Sequence, residues 1–182
     1  MDLHGTIPRF PDDPQLTASR GLLAAEMPGS GFGLHASANV YVFRLKAVTF
    51  GLGGDAAIAR AHHGAQPISS TVTGRPVTER FTHIAPELSL NFGTGNGWSY
   101  LSGGVGTSTW SIVPDGEAPL NGDRERLETI NYGGGARWFA KPHLAFSVDV
   151  RFYAIYPGTP DEARPGSPRT TLLIFGGGIS VK

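Results

Sequence analysis

The side chains able to do chemistry in this chain are few, and they fall at alternating positions. His35, Ser37 and Asn39 stand at i, i+2 and i+4, which places them on one face of an extended strand. A serine beside a histidine is the raw material of nucleophilic catalysis, with Ser37 as nucleophile and His35 as its general base. Such a pair needs an acid to orient the imidazole, and none stands at a readable spacing, so a polar strand face is the plainer expectation. A second set is Asp55, Glu87, Arg137, Asp149 and Arg151, each embedded among apolar residues. These suit an enclosed ion-pair network in which Arg137 pairs with Asp149 or Glu87. The functional alternative is a gated polar path for ions or a small solute.

The remaining candidates are weaker. His62 and His63 are adjacent, point opposite ways in a strand and make a poor metal pair. His83 falls on the same strand face as Glu87 and is expected among the enclosed polar groups. The runs Gly103-Gly104, Gly133-Gly134-Gly135 and Gly176-Gly177-Gly178 lack the following Lys-Ser/Thr of a phosphate loop; they read as sites of curvature and close packing. No pair of carboxylates has a spacing suited to glycoside hydrolysis. The chain has no cysteine, which excludes disulfides, thiolate-bound zinc and thiol nucleophiles. Fifteen Lys and Arg balance fifteen Asp and Glu, so there is no electrostatic case for nucleic acid. No catalytic residue, metal ligand or cofactor is expected.

The elements that position these residues follow a period of two. In 143–156, Leu144, Phe146, Val148, Val150, Phe152 and Ala154 alternate with Ala145, Ser147, Asp149, Arg151 and Tyr153. The split recurs in 32–44, 47–60, 81–92, 129–140 and 169–182, where Leu172 and Ile174 blur it. It is weakest in 97–112, where Leu101, Val105 and Thr107 oppose Ser102 and Ser108. The 26 glycines are roughly twice the usual share of about 7%. Many sit inside apolar stretches, which disfavours helix by about 1 kcal/mol each.

Connections alternate in length. Leu45-Lys46, Gly93-Thr94-Gly95-Asn96 and Lys141-Pro142 are short, whereas 61–80, 113–128 and 157–168 are long and polar. Short turns at one end and long loops at the other are a property of outer-membrane barrels. Seven strands leave an even count one short. Asp2 to Ile7 alternates correctly and supplies the eighth, with 9–31 as its outer loop. Trp98, Tyr100, Trp138, Phe139, Phe43 and Phe92 lie beside the short turns, and Trp110 and Tyr156 near the long loops. The expectation is an interface girdle that includes Trp98, Tyr100, Trp110, Trp138 and Tyr156.

Two hairpins carry a family resemblance. Asn131-Tyr132-Gly133-Gly134-Gly135-Ala136-Arg137-Trp138-Phe139 with Leu144–Tyr153, and Asn39-Val40-Tyr41-Val42-Phe43-Arg44 with Val48–Gly54, resemble outer-membrane β-barrels of the small OmpA type. The resemblance covers most of 32–182 and rests on patterns rather than catalytic signatures. It implies an all-β, up-and-down antiparallel transmembrane barrel of about eight strands, as one domain over 1–182. It also implies a bacterial outer-membrane location, with outer-membrane lipid and the barrel-insertion machinery as partners. Many members end on an aromatic that this machinery recognises, whereas this sequence ends Ser180-Val181-Lys182. Met1 to Gly5 has neither the basic start nor the apolar core of a signal peptide, so a longer precursor and a first strand truncated at Met1 are expected.

For function, the leading expectation is a structural or surface-interaction role, with a lumen filled by polar side chains and a surface partner the sequence does not identify. A narrow solute channel is the first alternative. A soluble lipocalin-like carrier is the second, and it would require the apolar rows to point inward. Some outer-membrane lipid A deacylases place a His and a Ser similarly on a barrel strand, which makes a lipid-modifying enzyme built on Ser37 and His35 the third.

Overall fold

Eight antiparallel strands close on themselves in sequence order. The computed structural model describes residues 1–94, 96–160, 162 and 164–182, with Thr94 described by its backbone alone. The strands are β1 (Asp2–Arg9), β2 (Phe32–Leu45), β3 (Val48–His63), β4 (Val77–Thr94), β5 (Gly97–Pro114), β6 (Leu127–Lys141), β7 (Leu144–Ile155) and β8 (Thr170–Val181). The shortest, β1, makes the closure: Asp2 pairs with Ser180 and Arg9 with Leu173 on one side, and His4 with His35 on the other.

Alternation of apolar and polar residues forces this arrangement, because each strand must turn one face to each side of the wall. The connections differ in detail from the sequence expectation. The β2–β3 turn is Lys46-Ala47, with Leu45 opposite Val48, and the β6–β7 turn is Pro142-His143. Lys46 adopts φ 54°, the left-handed conformation that a two-residue hairpin demands. In the β4–β5 turn, Gly95 lies outside the described residues.

Sidedness is unambiguous on β7. Phe146 is 64% exposed and Val148 50%, whereas Asp149 and Arg151 are 4% and 1% exposed. The outward apolar row continues around the wall through Leu3, Leu34, Leu52, Ile84 and Leu101. So continuous a greasy exterior belongs in hydrocarbon rather than water. The soluble-carrier expectation needed the opposite orientation and is overturned.

The interior has two layers. Toward the short turns it is ionic. Toward the long loops it is apolar, with Phe81, Trp110, Ile112, Leu127, Tyr153 and Leu172 buried inside. A polar lumen filled by side chains is the expectation; it is met in the lower half, and the apolar upper half is a correction. Leu172 and Ile174, which blurred the β8 pattern, point inward as part of this layer.

The segment between β1 and β2 seals the apolar layer. It carries Phe10, Leu16, Leu22 and Met27 into the same cluster. Within it, a helix α1 (Pro14–Arg20) starts at Asp13, whose side chain accepts from the amides of Gln15 and Leu16, and stops at Gly21 with φ 62°. Two ion pairs bind this segment to the other loops. Arg20 Nε donates to Asp123 Oδ1 at 2.8 Å and its NH2 group to Ser167 Oγ at 2.9 Å. Glu26 accepts from the amides of Leu23 and Arg75, at 2.7 and 2.8 Å, and from Arg75 Nε at 3.2 Å. Burial raises the pKa of Glu26, but these donors outweigh it and hold the carboxyl below its ordinary 4.5.

Two outcomes follow from this arrangement. Val148→Arg places a cation on the lipid-facing row and is expected to destabilise the folded barrel by about 2–4 kcal/mol; an unchanged urea midpoint for folding into lipid vesicles would refute the sidedness. Because the folded pKa of Glu26 is depressed, its clasp contributes stability at neutral pH and loses it as the pH falls through that lowered value. The NMR amide shifts of Leu23 and Arg75 should therefore titrate with a midpoint under 4.5, and a midpoint above that value contradicts the clasp.

Candidate functional site

The strongest concentration of chemistry is the ionic lower half of the lumen. Arg151, inward on β7, donates through NH1 to Glu87 Oε2 at 2.7 Å, through Nε to Asp149 Oδ1 at 3.3 Å and through NH2 to Ser102 Oγ at 2.9 Å. Asp55 Oδ2 lies 3.7 Å from the same NH1. One guanidinium thus gathers carboxylates from β3, β4 and β7. The network expected among Asp55, Glu87, Asp149 and Arg151 is assembled here.

Arg137 departs from expectation. Its partner is Asp2 on β1, held by two parallel bonds of 2.9 Å from Nε and NH2, while NH1 donates to Asn91 Oδ1 at 2.8 Å. The closure brings Asp2 alongside, which no local spacing in the sequence reveals. Ser37 Oγ donates to the other side of this pair, at 3.0 Å from Asp2 Oδ2, and Ser180 donates to Oδ1. The Arg137 guanidinium also lies 4.0 Å from the Tyr100 ring centroid.

The acid missing beside His35 is Asp55, which accepts from His35 Nε2 at 3.0 Å. The Ser37–His35 hydrogen bond that the catalytic alternative needs is not formed. Ser37 is bonded to Asp2 rather than to His35, and both Ser37 and His35 are buried inside the wall. His83 shares a hydrogen bond with Ser108 at 2.9 Å and lies 3.5 Å from Asp55 Oδ1. Asn39 donates to Glu87 Oε1 at 3.0 Å, and Asn131 donates to Asp55 Oδ1 at 2.6 Å. His62, on the exposed rim, shares a 3.3 Å hydrogen bond with Thr78.

Three girdle assignments are also corrected. Tyr100 is buried in the lumen and donates to Asp149 Oδ2 at 2.7 Å. Trp110 is buried in the apolar layer and donates to Glu79 Oε1 at 2.7 Å. Trp98 shares their inward parity and sits in the short-turn mouth, edge-on to Tyr41 and Phe139 with Lys182 over its ring. Nearness to a strand end suggested an interface, but side-chain parity decides, and even positions of β5 face inward with Ser102 and Ser108. A Cβ at Gly135 would collide with the Val148 carbonyl oxygen and stand 2.8 Å from the Tyr100 hydroxyl, so the glycine serves the strand pairing first and the ring second. Trp138 is exposed on the outer face, and Tyr156 packs beneath Arg169 near the long loops.

No protein-family model matches the chain, and no curated protein matches it. Solved structures do. Neisserial surface protein A aligns with all of this chain and 92% of its own, at 14% identity and a TM-score of 0.56. The chain has the fold of a small outer-membrane β-barrel. The outer membrane enzyme PagL aligns with all of this chain and 99% of its own, at 11% identity and a TM-score of 0.58. Ail, the attachment invasion locus protein of Yersinia pestis, aligns over 99% of this chain and 94% of its own, at 10% identity and a TM-score of 0.55. One small outer-membrane barrel in this trio is an enzyme, one a surface protein and one an attachment protein, so the shared fold leaves the role open.

The lattice gives a direct expectation. Arg151→Met leaves Glu87, Asp149 and Asp55 without their common cation, and removing one partner of a buried pair costs about 3–5 kcal/mol. Urea titration of the barrel folded in detergent measures it, and a loss below about 1 kcal/mol, the range of exposed pairs, would show that Arg151 is solvated rather than enclosed.

Proposed function

We propose that this protein is a non-conducting small barrel of the bacterial outer membrane, without catalytic activity, whose work is done at the surface that its long loops present. The observation that carries this reading is the double seal of the lumen. Ion pairs among Arg137, Asp2, Arg151, Glu87 and Asp149 cross the lower half, and Phe10, Leu16, Leu22 and Met27 close the upper half from the loop side. A barrel of about eight strands has an interior just wide enough for side chains to fill it.

The loops support a surface role because they are built. The Arg20–Asp123 and Glu26–Arg75 pairs tie the β1–β2 segment to the segments before β4 and β6, and Ser167 ties it to the one before β8. Around the rim, Arg60 and Arg80 face outward directly opposite each other across β3 and β4. Like charges in that position repel, and a neighbouring lipid phosphate would relieve the strain by bidentate contact. That favours outer-membrane lipid as a partner at the long-loop end.

One preparation tests the proposal with two readouts. Folded protein in a planar bilayer should give no steady conductance, and an outer membrane carrying it should keep the lipid acyl pattern of a membrane carrying Ser37→Ala. Discrete ion-selective channels would replace this reading with the solute-channel one, and a Ser37-dependent change in lipid mass would replace it with the enzyme.

A further inference from the structure

The lower lumen carries more negative than positive groups. Asp2, Asp55, Glu87 and Asp149 are buried there with Arg137 and Arg151 as counter-ions. Four carboxylates against two guanidiniums, counted in their ionised forms, leave a formal deficit of two positive charges. Beside this deficit stand two imidazoles in contact, His4 and His35, with ring centroids 5.7 Å apart. Both are fully enclosed, at 0% and 2% exposure.

Their hydrogen bonds leave one nitrogen of each ring over. His35 Nε2 donates to Asp55 at 3.0 Å, and His4 Nε2 shares a 2.7 Å hydrogen bond with Ser147 Oγ. Nδ1 of both rings is buried without a hydrogen-bond partner among the described residues. One ligating atom from each of His4, His35 and Asp149 lies within 4.8 Å of the other two. Metal–nitrogen and metal–oxygen bonds of about 2.0–2.2 Å set donors about 3.3–3.6 Å apart, so the longest side of this triangle contracts by up to about 1.5 Å on binding.

We propose that His4 Nδ1, His35 Nδ1 and Asp149 form a binding site for a divalent transition-metal ion of the zinc class, buried in the lumen. Two histidines and a carboxylate are a recurring ligand set for such ions. The surrounding groups match what a metal site requires. Asp55 accepts from the far nitrogen of His35 and fixes its tautomer, and Ser147 does so for His4. Tyr100 and Arg151 each donate to one oxygen of Asp149 and orient it, and each oxygen keeps a second lone pair. An ion of charge two also balances the lattice. Because the site is enclosed by both seals, the ion enters during folding, and its role is to staple β1, β2 and β7 at the seam where the barrel closes.

The test uses the untagged chain refolded from urea into detergent with zinc, then washed with a chelator. The folded protein should retain one equivalent of zinc, and X-ray absorption should show two imidazoles and oxygen in the first shell. Retention should persist in His62→Ala/His63→Ala, which removes the histidine pair at the rim. It should be lost in His4→Gln/His35→Gln, and Asp55→Asn should weaken it about 10–100-fold. A folded parent that holds no zinc overturns the proposal, as does full retention in the folded His4→Gln/His35→Gln protein. If that double variant does not fold, the parent's absorption spectrum decides, and a shell without two imidazoles overturns it.

Discussion

The strands around the ionic half of this barrel are held in place by the need to pair Arg151. Its guanidinium is 1% exposed and has no solvent to share its charge, so each donor must find an acceptor on the wall. Glu87, Asp149 and Ser102 supply them from β4, β7 and β5, with Asp55 of β3 close by. Isolated burial of one ion costs several kcal/mol even after relaxation, which means that these strands cannot slide independently. A one-residue slip of β7 would turn Arg151 to the lipid and Phe152 to the carboxylates. The ion lattice therefore specifies register across the wall more than it adds net stability.

The same logic assigns different work to the two halves of the lumen. Ion pairs are directional and fix register, whereas the apolar layer above them fills volume and excludes water. Glu79 marks the boundary: it accepts from Trp110, and no cation lies against it among the described residues. Tyr153 is similar, with its ring edge-on to Phe81 and its hydroxyl without a partner there. Outside, α1 and its Arg20–Asp123 pair hold the lid over this layer, so the loop surface and the lumen packing are joined.

Much of this was legible in the sequence. Alternation located seven strands and their faces, because a membrane permits few exceptions to apolar-out, and the need for an even count pointed to the eighth. Alternation also placed Asp55, Glu87, Asp149 and Arg151 inside. What it lacked was long-range adjacency. Arg137 was expected beside Asp149 or Glu87, but the partner is Asp2, 135 residues away, brought alongside by closure. His4 is illegible for the same reason: nothing within β1 points to His35, and only the β1–β2 register joins them. Trp110 and Tyr100 are a different case. Their parity with Ser102 and Ser108 is readable in the sequence and outranks their nearness to a strand end. An indole or phenol can be buried where its one polar atom finds an acceptor, and Glu79 and Asp149 provide those acceptors.

The barrel closes through β1, which pairs with β2 on one side and β8 on the other. Side chains add to the backbone pairing there. Those that β1 turns inward do so unusually densely. Asp2 binds Arg137 of β6, Ser37 of β2 and Ser180 of β8, and His4 reaches Ser147 of β7. Four other strands are thus tied to two positions of β1. This concentration explains why a residue as costly to bury as aspartate stands at the start of the strand: without its bidentate hold on Arg137, that buried cation would lose its only charged partner among the described residues, and the closure would lose its cross-barrel tie.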